Sequence, residues 1–182
     1  MKFLIFNLLL AGLILIGNTC YANDYANQSN ELVKQKTALY KDCELKINLA
    51  YKTHHAKGID YAGNPPKKLT YIGGANRFAS KAKQASSFKP ALAHQYAINS
   101  FGCGTECIGT VLVDLQSGVA FLGPIYATDI ETNIQSNVIV TDHEVLKDYL
   151  SNHWSKPVSV WVIKNKHVEK LFTCRLDALN EH

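Results

Sequence analysis

The residues best suited to chemistry sit in one short stretch, "SFGCGTECIGTVLVDLQSG", running from Ser100 to Gly118. Cys103 and Cys107 lie four positions apart among Gly102, Gly104, Thr105 and Glu106, just ahead of a strand-like run. Paired cysteines serve several chemistries. Thioredoxin-like redox centres use Cys-x2-Cys beside a βαβ unit. Here the spacing is Cys-x3-Cys, no βαβ pattern surrounds it, and the Glu106 carboxylate disfavours a thiolate at its neighbour. A zinc site needs two further ligands, and His94 is the only histidine nearby in the chain. A thiol nucleophile would take His94 as its base. The remaining chemistry is architectural. A disulfide across three residues needs a tight turn, and Gly102 and Gly104 permit backbone angles that a β-carbon excludes. The pattern therefore points to a disulfide-pinned β-turn, with no metal and no cofactor.

That reading requires an oxidising compartment. Lys2 is a one-charge start, Phe3 to Ile16 is apolar except for Asn7, and Cys20-Tyr21-Ala22 is a small-x-small cleavage site. Residues 1–22 are expected to be a secretory signal peptide. Its apolar run spans about 21 Å as a helix, short of the ~30 Å hydrocarbon core, so it is not expected to remain as a membrane span. A lipid-modified Cys20 is the rival start, but Gly-Asn-Thr before it is a poor lipobox. The product is expected to be exported, periplasmic or secreted, with residues 23–182 forming a single domain.

Of five cysteines, Cys20 leaves with the leader and Cys43, Cys103, Cys107 and Cys174 remain. Four cysteines allow three connectivities. The favoured one is Cys103–Cys107 with Cys43–Cys174. On the chain-entropy account the long bridge stabilises by about 5 kcal/mol and the short one by about 2 kcal/mol. The long bridge is then a global staple, and the short one shapes its own loop.

Charge is uneven. Residues 23–94 hold twelve Lys or Arg against five acids, whereas residues 95–182 hold six against ten. The lysines are scattered without interleaved aromatics, so nucleic acid is not expected as a partner. The basic part is expected as a solvated face; the sharper alternative is contact with an anionic surface, such as an envelope polymer or an acidic protein partner.

These residues need elements to hold them. Leu32, Lys36, Leu39, Cys43 and Ile47 give a helical stripe that starts near Ser29 and reaches about Lys46. The stretch "KTHHAKGIDYAGNPPKK" reads as a loop that leaves His54 and His55 solvated. Gly73-Gly74 opens a second helix through Phe78, Ala79, Ala82 and Ala85. Strands follow. His94 and Tyr96 are expected on one face of the strand leading into the cysteines. "IGTVLVDL" and "VAFL" form a hairpin across Gln116-Ser117-Gly118, with Asp114 capping the turn and Gly123-Pro124 stopping the second strand. "NVIV" is a strand, Thr141 and Glu144 form a capping box for a short helix, and "VSVWVI" and "HVEKLFTC" form a second hairpin. Trp154 and Trp161 are expected as core or rim anchors. The expected fold is α+β: an antiparallel sheet of about five or six strands, helices packed on one face, stabilised by disulfides.

Arg77-Phe78, His94, Tyr96, Gly102-Cys103-Gly104-Thr105-Glu106-Cys107, Asp114 and Ser117-Gly118 together resemble a family of small exported bacterial proteins. The resemblance covers about a third of the chain, and its most specific part is the glycine-cysteine knot. It implies a compartment and a topology but no reaction. Cys43 and Cys174 lie outside its pattern.

No phosphate loop, zincin helix or dinucleotide fingerprint is present in the sequence. The leading expectation is an exported, non-catalytic binding or inhibitor-like protein that presents the pinned loop. Its surface would comprise His94, Tyr96, Gly102, Gly104, Thr105 and Glu106. The alternative is a thiol-dependent envelope enzyme, a disulfide exchanger or a Cys–His hydrolase. Sequencing the exported protein tests the leader: a start at Asn23 is expected, and an acylated Cys20 would refute it.

Overall fold

The computed structural model describes residues 30–58, 61–105, 107–144 and 157–175. The expected leader, Glu106, Trp154 and the body of the short helix expected after Thr141 lie outside these residues.

The first helix, α1, covers residues 30–53, one to two turns beyond the expected end. Its stripe of Leu39, Tyr40, Cys43, Ile47, Ala50 and Tyr51 keeps helical spacing, although Cys43, Leu45, Ile47, Leu49 and Tyr51 also alternate in sequence as a strand would. A strand there would have split that stripe between two faces. Next come β1 (Thr70–Tyr71), one 3-10 turn (Ala75–Phe78) and α2 (Ala79–Ala85). The remaining strands are β2 (Tyr96–Gly104), β3 (Cys107–Asp114), β4 (Val119–Tyr126), β5 (Ile130–Thr132), β6 (Val138–Thr141), β7 (Val158–Lys164) and β8 (His167–Cys174).

The mixed α+β composition is as expected, but the single sheet is not. The strands form two four-stranded sheets, ordered β1-β4-β3-β2 and β5-β6-β7-β8. All pairings are antiparallel except β1 with β4, which is parallel. Nor do the helices share one face. Ala82 and Ala85 of α2 pack with Ala97, Val111, Val113 and Ala120 on the outside of the first sheet. Cys43, Ile47 and Ala50 of α1 pack with Val138, Val140, Val158 and Val160 on the outside of the second. Between the sheets lie Tyr96, Leu112, Phe121, Ile139 and Ile163. The order of layers is thus helix, sheet, sheet, helix.

The cause is visible in the strands. Val111, Leu112 and Val113 are consecutive, so they point alternately to opposite faces, and all three are fully buried. Val138, Ile139 and Val140 repeat this in the second sheet. Strands that are apolar on both faces need a layer on each side.

β4 also runs through Gly123-Pro124 instead of stopping there. The register slips between Gly109 and Val111, so that the bulge takes up Thr110, Gly123 and Pro124. A bulge is where a strand tolerates proline. Thr110 Oγ1 donates to the Pro124 carbonyl at 2.8 Å, and a β-carbon on Gly123 would collide with the Thr110 side chain. The chain then leaves the first sheet through a pinned corner. Asp142 Oδ1 accepts the backbone N–H of Ala127 and of Thr128, both at 2.8 Å.

The two hairpin turns meet at one end. Asp114 caps the β3–β4 turn: its carboxylate accepts from Gln116 N at 3.0 Å and Ser117 Oγ at 2.7 Å. Asn165 and Lys166 have φ of 49° and 62°, the left-handed pair of a two-residue hairpin turn between β7 and β8. From there Lys166 Nζ reaches Ser117 Oγ at 2.9 Å and Asp114 Oδ2 at 3.5 Å.

The expected Thr141 cap does not form. Trp161 Nε1 donates to the Thr141 hydroxyl, which itself donates to the Ser159 carbonyl. Asp129 Oδ1 accepts the Glu144 N–H instead, at 3.1 Å.

Removing the inter-sheet ring should be costly. Phe121→Ala is expected to lower stability by about 3–5 kcal/mol, while Leu45→Ala on the exposed face of α1 changes it by less than about 1 kcal/mol. Urea unfolding of both variants measures this.

Candidate functional site

The cysteine knot joins β2 to β3 at the tip of their hairpin. Cys103 and Cys107 are disulfide-bonded with their Cα atoms 5.1 Å apart, and Cys43 is bonded to Cys174. Gly104 has φ of 141°, in the region that favours glycine, so this position suits the residue it holds. Gly102, Cys103, Gly104 and Thr105 are all exposed.

Beneath the exposed tip lies a clamp. Phe101 faces Gly109 across the strand pair, and its ring covers the glycine so closely that a β-carbon there would lie 2.5 Å from it. Phe78, from the 3-10 turn, stacks on the other side with ring centroids 3.7 Å apart and planes at 17°. The Arg77-Phe78 part of the motif therefore meets the knot through its phenylalanine.

His94 and Tyr96 do not sit on this surface. The residues expected on one strand face are divided by a turn, because Ala93 and His94 have φ of 50° and 60° and β2 begins only at Tyr96. His94 N donates to the Ile134 carbonyl at 2.9 Å, and the His94 carbonyl accepts from Tyr61 N at 2.8 Å. Tyr96 is buried between the sheets, edge-on to Phe121 at 5.8 Å. Burial raises its phenol pKa, and the nearby Asp114 charge adds to this while a bond with Gln95 opposes it. At the usual strand rise, Tyr96 and Cys103 are about 20 Å apart along β2. His94 thus lies at the opposite end of the strand from the cysteine pair, out of reach as a base. His54 is half-buried beside α1, while His55 is exposed and bridges to Ser136.

The register brings something else to the tip. Ile108, next after Cys107, pairs with Tyr126 at the end of β4. Ile125 beside it is 65% exposed, and a cleft of about 540 Å³ opens between the sheets there, lined by Ile125, Tyr126, Thr141, Ser159, Trp161 and Lys170. Trp161 is half-buried, with Lys170 Nζ 4.6 Å from its ring centroid. A second groove, about 620 Å³, runs between α1 and β8 past the Cys43–Cys174 bridge.

One constellation has no counterpart in the sequence reading. His143 is buried just after β6, and each ring nitrogen meets a carboxylate: Nδ1 lies 2.6 Å from Glu131 Oε2 and Nε2 lies 2.9 Å from Glu44 Oε1. Tyr51 donates to the other Glu131 oxygen at 3.2 Å. A ring with a proton on each nitrogen donates both bonds, whereas a neutral ring donates one. Neither the groove nor the inter-sheet cleft is lined by these residues. They act as a clasp that ties α1 to β5 and β6. Among the described residues, no group of three or more His, Cys, Asp or Glu side chains could hold a metal ion.

No protein-family model, curated protein or solved structure matches the chain.

The clasp makes two measurable demands. His143→Ala leaves two carboxylates without their shared donor and is expected to cost about 1–3 kcal/mol in urea unfolding. Burial, then the charge of Glu131 and the bond to it, then the charge of Glu44, raise the Tyr51 phenol above its ordinary value of 10.0. The folded state holds this proton more tightly than the unfolded chain. Its stabilisation is therefore complete below the ordinary tyrosine range and is lost as pH rises towards the raised value. In an ultraviolet pH titration, Tyr51→Phe should remove absorbance change from the late-ionising tyrosines only; loss from the early ones would contradict this.

Proposed function

We propose that this is an exported binding protein whose recognition surface is the disulfide-pinned tip of the β2–β3 hairpin together with the cleft beside it. The supporting observation is the strand register. It sets the exposed Gly102–Thr105 tip, the exposed Ile125 and the inter-sheet cleft at one end of the molecule. The tip is held covalently from within and by stacked rings from below. A loop held in this way loses little conformational freedom when it binds.

The export reading rests on the leader pattern and on two disulfides, which persist in oxidising compartments. No helix among the described residues is long and apolar enough to cross a membrane. The partner fitted by this surface offers an apolar side chain to Ile125 and the Trp161 cleft, with backbone or polar groups for the tip. An envelope protein, such as a secreted hydrolase held inactive, meets that description, and so does an envelope polymer with apolar faces. The small exported family that the glycine-cysteine knot resembles would share this use of the tip.

Capture from envelope extract tests the proposal. Immobilised wild type is expected to retain a saturable partner. Ile125→Glu and the double variant Cys103→Ser with Cys107→Ser should each lower its retention at least about tenfold, the loss expected when a central anchor is removed. Lys34→Ala, far out on α1, should leave retention unchanged. Equal retention by all four proteins would refute the assignment of the surface.

A further inference from the structure

The two disulfides differ in exposure. Cys43 is 2% exposed in the core between α1 and the second sheet, and its partner Cys174 is half-buried at the edge of the groove between α1 and β8. Cys103 is exposed at the hairpin tip, and Cys107 is half-exposed. Access decides which disulfide an external thiol can attack. The consequence of opening each bond also differs. Cys43 and Cys174 are carried on a packed helix and a paired strand, so their sulfurs would stay adjacent after reduction and would close again. At the tip, Gly104 and Thr105 are exposed, and Gly102 and Gly104 have no neighbour within 4 Å of where a β-carbon would stand. Once opened, this short loop has room to relax, and relaxation opposes reclosure.

From these facts we infer that Cys103–Cys107 is a thiol-exchange site, and that a dithiol protein of the exported compartment opens and closes it to switch the recognition tip. The second part rests on the tip being the recognition surface. The chemistry balances without further reagents. One thiolate of the dithiol attacks Sγ of Cys103, the Cys103–Cys107 bond breaks, and the departing Cys107 sulfur takes up a proton. The second thiol of the dithiol then attacks its own partner sulfur in the mixed disulfide and releases Cys103 as a thiol. The dithiol is oxidised by two electrons, and the tip is reduced by two.

The Phe101 clamp keeps the switch local. Below the tip, the Phe101–Gly109 pair is covered by its own ring and by Phe78. The register from Phe101 back to Tyr96 depends on backbone pairing with β3 and on packing, not on the disulfide. Reduction thus frees residues 102–105 and leaves the sheet in place.

Graded reduction of the full chain with dithiothreitol, followed by alkylation and peptide mapping, tests the site without any partner. Cys103 and Cys107 are expected to be labelled at least about tenfold faster than Cys43 and Cys174. Amide exchange should rise at residues 102–105 and stay unchanged at Ile98 and at Val111 to Val113. Equal or earlier labelling of Cys43 and Cys174, or exchange spreading through β2 and β3, would overturn the inference. Phe78→Ala gives a second reading: with the clamp weakened, reduction should spread exchange to Phe101 and Gly109, and an unchanged pattern would remove the clamp from the argument. Failure of the recognition reading looks different, since selective reduction would persist while oxidised and reduced forms retained the same envelope partner.

Discussion

A strand with apolar side chains on both faces has to be covered twice. That requirement organises this molecule more than any single bond. β3 and β6 each carry three consecutive apolar residues with no exposed surface, so neither could belong to a sheet with one wet face. Two sheets back to back satisfy one face of each. The two helices satisfy the other faces, and small alanines let α2 lie close against its sheet. Each layer is stable because its neighbour is present, and three apolar clusters fill the spaces between successive layers from α1 to α2.

The polar groups of the structure serve the joints of this stack. Asp142 holds the corner where the chain passes from the first sheet to the second. Asp114 shapes one hairpin turn, and Lys166 ties the other turn to it. His143 links α1 to the second sheet through two carboxylates. Where the joints are polar and mutual, the hairpin tip is neither. It leans on the sheet through two stacked rings, and Gly102 to Thr105 are exposed.

Much of this was legible in the sequence where chemistry is local. The Cys103–Cys107 pair, both hairpins and the Asp114 turn follow from residue type and short spacing, because turns and caps are decided within a few residues; Cys43 and Cys174 are then the two cysteines left to pair. The number of sheets was less legible. A single sheet with helices on one face needs only one apolar face per strand, although the unbroken Val111-Leu112-Val113 run already speaks for two. Gly123-Pro124 looked like a stop, since a bulge depends on the facing strand, here on Thr110. His94 and Tyr96 looked like one strand face because nothing nearby marks Ala93 and His94 as left-handed; the turn is set by contacts with Tyr61 and Ile134, far along the chain. The Glu44–His143 contact was invisible for the same reason, spanning 99 positions from α1 to the residue after β6, and Glu131 meets His143 only because β5 and β6 pair.

The bond between Cys43 and Cys174 spans 131 positions and encloses nearly every element of the molecule. A protease that severs one peptide bond inside that circuit, for instance in the lysine-rich segment before β1, converts the loop into two arms that remain one covalent object. Such a nick separates no fragments, and the sheets stay within reach of each other to dock again. A chain closed on itself in this way survives a first cut.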